Sequence, residues 1–249
     1  MRAAEMTWPE YRDRIRTCAV VVPVGALEPH GPHLPLATDT IIAEYLADQL
    51  AEQVDSLVLP AISYGYRTNP IRMGGEFSGT LDIGARTLRD HVYDLLTAAY
   101  REGARRFVVL HAAYANVAIT YDAVAGFVNA SPDARVLAAS WWDFASEGTR
   151  NAIARETGVD RADDNHAALV ETSLVMHMSP GVVREHLVTD DTSPGRVRYT
   201  VLPIPESLCT ATGIVYCARG ASAAIGKRLT DEVVKAMVAA VQQHLSTEI

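Results

Sequence analysis

Residues Cys18–Asp39 read CAVVVPVGALEPHGPHLPLATD. The first seven, Cys18 to Val24, form a short, continuous, β-branched run that ends at Gly25. A run with no polar alternation predicts a strand buried on both faces. Glu28 to Thr38 follows, rich in His and Pro, and predicts a loop stiffened by Pro29, Pro32 and Pro35. Thr38 or Asp39 is placed to cap a helix over about 40–54, with Ile42, Tyr45, Leu46 and Leu50 on one face.

The same alternation continues outward. Trp8–Arg16 has helical spacing before the first strand. Ser56–Ile62 (SLVLPAI) predicts a second strand and Arg106–His111 (RFVVLH) a third. Ala134–Ser140 (ARVLAAS) predicts a fourth, followed directly by Trp141-Trp142-Asp143-Phe144. Between them, 86–102 and about 117–128 carry helical stripes, and Gly103 stands where the first should stop. Apolar strands alternating with helices predict a mostly parallel sheet covered on both faces, a three-layer α/β/α sandwich in a single domain over 1–249. In such sheets a ligand site lies beyond the carboxyl ends of the strands. The polar clusters Glu28/His30, Tyr64–Tyr66, His111–Asn116 and Trp142 all follow strands, so four loops should converge there.

Composition narrows the function classes. Lys and Arg number 22 against 30 Asp and Glu, a net charge of −8, which argues against a nucleic-acid binder that must displace counterions. No apolar run reaches the roughly 18 residues a membrane helix needs. Cys18, Cys209 and Cys217 form no CxxC pair, so neither a disulfide framework nor a cysteine zinc site is expected. The charged first 16 residues lack a signal-peptide core, so a cytoplasmic location is expected.

Four groups could carry chemistry. Glu28-x-His30-x-x-His33 with Asp39 offers carboxylate and imidazole ligands to a divalent metal. The plain alternative is a capped helix and solvated loop histidines. Asp163-Asp164-Asn165-His166 precedes Glu171, Thr172 and Ser173. Capping accounts for the aspartates, but not for His166. His166 and Glu171, five apart, could both face a cleft at a helix start. His111, a polar end to an apolar strand, could be a satisfied core residue. One of Trp141 and Trp142 should be core, the other a flat wall for a substrate.

These residues together resemble the creatininase family. Val24-Gly25-Ala26-Leu27-Glu28-Pro29-His30-Gly31-Pro32-His33-Leu34-Pro35 is similar to its signature, and Asp39 stands at its bridging aspartate. Tyr64-Gly65-Tyr66, Gly79-Thr80, Gly103 to Phe107, Trp142-Asp143-Phe144 and His166…Glu171-Thr172-Ser173-Leu174 extend the likeness over nearly the whole chain. The resemblance implies an α/β/α sandwich, a homo-oligomer (often a hexamer), and hydrolysis of a cyclic amide or similar C–N bond in a small molecule. It also implies two divalent ions, typically zinc or manganese. Carried over, Glu28, His30 and Asp39 are metal ligands, His166 a proton donor to the leaving nitrogen, Glu171 a supporting catalytic acid, and Trp142 a wall. Tyr114 and Asn116 match the third-strand motif, and with Tyr66 they are expected at the substrate.

Two departures matter. His111-Ala112-Ala113-Tyr114-Ala115-Asn116 has Ala113 where the family has a ligand His, and Ala115 where it has a ligand or base Glu. Ala162 stands where the creatininase branch has a lid tryptophan. At most one metal is therefore expected, on Glu28, His30 and Asp39, with His111 or His33 to complete the set. Three other readings stay open. The chain could be an ordinary metal-dependent amidohydrolase with a rearranged site. A metal-free acid–base site of His166, His111, Glu28 and Glu171 could perform ring closure, dehydration or isomerisation. Alternatively, the chain is a non-catalytic binding relative. The loop 67–76 and the segment 188–201 are the expected specificity elements, and Arg67 and Arg72 could meet a carboxylate or be plain surface arginines.

Overall fold

The computed structural model describes residues 1–66, 77–192, 201, 205, 207 and 209–245. Four strands are β1 (Ala19–Val24), β2 (Ser56–Val58), β3 (Arg106–His111) and β4 (Arg135–Ser140). They form one parallel sheet in the order β2-β1-β3-β4. The helices are α1 (Trp8–Arg14), α2 (Thr38–Gln53), α3 (Ala85–Arg101), α4 (Val117–Ala130), α5 (Glu147–Thr157), α6 (Leu169–Met178) and α7 (Ala223–Leu245).

Side chains alternate across the sheet, as the pleat requires. Val20, Val22 and Val24 of β1 pack with Phe107 and Val109 of β3 against α3 and α4. Val21 and Val108 face the other way, into a core built with α2, α6 and α7. These two cores on opposite faces make the three-layer α/β/α sandwich expected from the strand composition. The second strand is shorter than its apolar run. After Val58 the chain leaves the ladder, and Ile62 touches β1 again only through a single bridge to Val24. Pro60 in that stretch has no N–H to give a ladder.

Register sets the height of the site. Val24, His111 and Ser140 are paired across β1, β3 and β4 at the same level, so the loops leaving these strands start side by side. The β1 exit is pinned by close approach. A Cβ on Gly25 would lie 2.6 Å from the Thr40 backbone nitrogen and Cα, so only glycine lets this turn rest on the first turn of α2. The Thr40 hydroxyl donates to the Ala26 carbonyl at 3.2 Å, and Glu28 N–H donates to the Leu36 carbonyl at 3.0 Å. The Glu28–Thr38 loop is thus closed on itself and held against α2.

Candidate active site

That closed loop carries Glu28, His30 and His33 inward. All three are buried, as is Asp39, so solvated loop histidines are excluded as their description. Asp39 does not cap α2. The helix begins at Thr38, its N-cap position Ala37 gives no side-chain bond, and Asp39 turns its carboxylate to His30. His30 Nε2 lies 3.1 Å from Asp39 Oδ1 and 3.8 Å from Glu171 Oε2. His30 Nδ1 is 3.1 Å from the Glu28 carbonyl. A carbonyl only accepts, so Nδ1 carries hydrogen and Nε2 is turned to the carboxylates. This is the arrangement that fixes the tautomer of metal-binding histidines.

The second half of the site comes from the segment before α6. His166 lies outside the helix, and Ala167 has a positive φ of 54°. This left-handed turn, uncommon for a residue with a side chain, lets Ala167 N–H donate to Glu171 Oε2 at 2.6 Å. The five-residue spacing of His166 and Glu171 is therefore not a helical one; the turn folds them together. His166 Nε2 donates to the Pro29 carbonyl at 2.8 Å, leaving Nδ1 to face Glu28 Oε1 at 3.8 Å. The His30 and His166 rings are stacked at 4.3 Å, tilted by 40°.

Three carboxylates and two imidazoles thus meet in a buried space, and their ionisation follows. Burial and the neighbouring Asp39 carboxylate push Glu28 well above the ordinary carboxylate range. Burial raises Glu171 to about 7, against the partial offset of His30. Burial opposes charge on His30, but the Asp39 carboxylate and its hydrogen bond, with Glu171 and Glu28, override it and raise the imidazole to about 10. Burial and then His30 hold His166 well below its usual value, so it is neutral. The cluster holds shared protons in the absence of another cation.

The cluster also fits a divalent ion. His30, Asp39 and Glu171 offer one ligand atom each within 4.8 Å of one another, and so do Glu28, His30 and His166. Among the described residues Asp39 Oδ2 is buried with no hydrogen-bond partner, an orphan acceptor that an ion would satisfy. The expected trio of Glu28, His30 and Asp39 is split between these two sets. Both need His30, and one imidazole nitrogen binds one ion.

Other expected site residues are placed elsewhere. His111 stays in the core with Nε2 hydrogen-bonded to the Thr120 hydroxyl, and belongs to neither ligand set among the described residues. Burial pushes its pKa down to about 4. His33 Nε2 lies 2.8 Å from the Thr172 hydroxyl and ties the loop to α6. Asn116 holds loops together: its Oδ1 accepts from Tyr66 N–H at 2.8 Å and its Nδ2 donates to the Gly25 carbonyl at 2.9 Å. Tyr66 packs against the α3–α4 core. The arginines of 67–76 and most of 188–201 lie outside the described residues.

The low pKa of His111 has a consequence for stability. The unfolded imidazole titrates near 6.5 and the folded one near 4, so the folded state binds fewer protons between these values. Its contribution is present above pH 6.5 and is lost as pH falls through the window. Between pH 7 and 4.5 wild type should lose about 2–3 kcal/mol more unfolding free energy than His111→Asn. Urea unfolding at the two pH values checks this; equal losses would reject it.

A cavity of about 720 Å³ opens over the cluster. Glu28, Asp39, His166 and Glu171 form its base, and Ala112 and Ala113 put only methyl groups there. Both tryptophans line it. Trp141 is buried, and half-buried Trp142 stacks edge-on against it at 5.5 Å. Tyr114, 70% exposed, stands 6.4 Å from Trp142. The far side of the cavity is formed by α5 and the segment after it, with Arg150, Ile153, Ala154 and Thr157. Sequence reasoning missed this wall, although the i, i+3, i+4, i+7 spacing of those four residues marks one helix face. Asp164, read as a cap, does accept from Val170 N–H at 2.9 Å, but it also lines the cavity.

Comparison with known proteins agrees with this geometry. The family model described as creatinine amidohydrolase matches residues 4–241. The creatinine amidohydrolase of Pseudomonas putida is 29% identical over 252 residues, 96% of this chain and 95% of that one. The mycofactocin precursor peptide peptidase of Mycolicibacterium smegmatis is 33% identical over 189 residues, 70% of this chain and 64% of that one. A solved manganese form of creatininase superposes with a TM-score of 0.90 at 27% identity, covering 97% of both chains. With the four-strand parallel sheet and the buried Glu28–His30–Asp39 loop, these matches show that the chain belongs to the creatininase family of amidohydrolase enzymes.

Proposed function

We propose that this enzyme acts on the C–N bond of a cyclic amide, lactam or guanidine-type group in a small polar molecule. In this reading a single divalent ion, zinc or manganese, assists an acid–base set, and the reaction is hydrolysis or the reverse ring closure. The observation that carries the proposal is the shared use of His30 by both ligand sets. Solved creatininases of similar fold include zinc and manganese forms and one complexed with creatine, which supports both the metal class and a small substrate.

His30, Asp39 and Glu171 would hold the ion. When bound, it polarises a carbonyl oxygen and stabilises charge that develops there. Glu28 and His166 remain on the other side of His30. His166 presents an unprotonated Nδ1 toward the Glu28 carboxyl, and its Nε2–H is fixed on the Pro29 carbonyl. Nδ1 can take a proton as the nucleophile adds and return it to the leaving nitrogen, with the raised Glu28 holding a proton in reserve. In ring closure the same group runs in reverse: His166 removes a proton from the attacking nitrogen and returns it to the departing oxygen, which leaves as water. Trp142 supports the planar amide or guanidine. Ala113 and Ala115 stand at the positions where the family pattern places two further ligands, which favours one ion over two.

The test is a panel of cyclic amides, lactams and their ring-opened acids, each incubated with enzyme supplied with zinc or manganese and followed by mass spectrometry. Interconversion of a ring–acid pair is expected. Conversion of none, with saturable binding of one, would favour the non-catalytic reading.

A further inference from the structure

The wall of the cavity formed by α5 carries a cation that the cluster chemistry does not use. Arg150 lines the cavity with Trp142, Asp164 and His166. Its Nη2 donates to the Trp142 carbonyl, which anchors one edge of the guanidinium beside the aromatic wall. Arg150 forms no ion pair among the described residues, whereas the other cavity arginine, Arg161, is paired with Glu147 and bonded to Asn151. Glu147, Asp164 and Glu232 feel the Arg150 charge but make their hydrogen bonds with other groups. Glu147 binds Arg161, Asp164 accepts from Val170 N–H, and Glu232 accepts from Ser146 N–H and the Thr149 hydroxyl.

The cavity is therefore polar in opposite senses at two places. Its base gathers Glu28, Asp39 and Glu171, and its α5 wall offers a half-buried, anchored guanidinium with donors to spare. A volume of about 720 Å³ also exceeds what one five-membered ring needs; it falls in the range of about 300–1,000 Å³ typical of pockets for larger ligands. From this, and resting on the C–N reading above, we infer that Arg150 is a specificity-determining residue that binds a carboxylate substituent of the substrate, separate from the reacting C–N bond. A planar guanidinium recognises a carboxylate through paired, charge-assisted N–H···O bonds. The substrate class is then a cyclic amide or guanidine that bears a carboxylate.

Two matched lactams test this: 2-pyrrolidone, which is neutral, and 5-oxoproline, the same ring with a carboxylate. Their dissociation constants are measured by isothermal titration calorimetry on wild type, Arg150→Gln and Arg150→Lys, and turnover is followed separately. Wild type is expected to bind 5-oxoproline at least about tenfold more tightly than 2-pyrrolidone. The ratio should fall to near one in Arg150→Gln and to an intermediate value in Arg150→Lys, which keeps the charge without the fork. Equal binding of both lactams by wild type, binding of neither, or an unchanged ratio in both variants overturns the assignment. Selective, Arg150-dependent binding without conversion of any ring–acid pair would retire the C–N reading and leave the carboxylate site standing.

Discussion

His166→Ala is expected to lower kcat by about 10²–10⁴-fold, the usual contribution of a positioned acid–base group, on whichever ring–acid pair the wild type converts. The reason is geometric before it is electrostatic. The Pro29 carbonyl takes Nε2–H, so Nδ1 is the nitrogen left for chemistry, and it faces Glu28. Burial and the adjacent His30 keep the ring neutral, so it can accept a proton at neutral pH. Removing it leaves Glu28 without a relay partner, while the binding surface of Trp142 and Tyr114 remains. KM should change much less than kcat, the signature of an interaction used in the transition state. His166→Gln, closer in volume, guards against a packing defect. Turnover at the wild-type rate in both folded variants would remove His166 from the mechanism.

The second large effect concerns the ion. His30 belongs to both candidate ligand sets, so His30→Ala leaves neither complete. Structural zinc sites with four ligands are worth about 10–16 kcal/mol, or about 2.5–4 kcal/mol per ligand. That corresponds to about 10²–10³-fold weaker binding. A competition titration against a zinc-sensitive dye should show this loss. His33→Ala should bind the ion as wild type does, because His33 is turned to the Thr172 hydroxyl. Equal loss in both variants would mean that the loop as a whole, not His30, determines the affinity.

Much of this molecule is legible in its sequence because the strands are apolar on both faces. Arg106–His111 is a strand over the residues its composition marks, and the β1 loop with the first turn of α2 brings Glu28, His30 and Asp39 inward. What local pattern could not reveal depends on distant partners. Asp39 looks like a cap, but the buried His30 imidazole draws its carboxylate away from the helix end. Glu171 sits inside a helical pattern, and only the left-handed turn at Ala167 places it beside Asp39 and His30. His111 looks like a site residue because it ends a strand, yet its ring enters the core and meets Thr120 of α4. Arg150 belongs to no motif in the sequence, and only the packing of α5 across the cavity brings it to the site.

One shared imidazole, His30, between two ligand sets predicts a single bound divalent ion per chain. Inductively coupled plasma mass spectrometry, on protein saturated with zinc or manganese and freed of excess metal, measures it directly. About one ion per chain is the predicted result, falling to near zero in His30→Ala. Two ions per chain would contradict the account, since ligands other than the five clustered residues would then complete a second site despite Ala113 and Ala115.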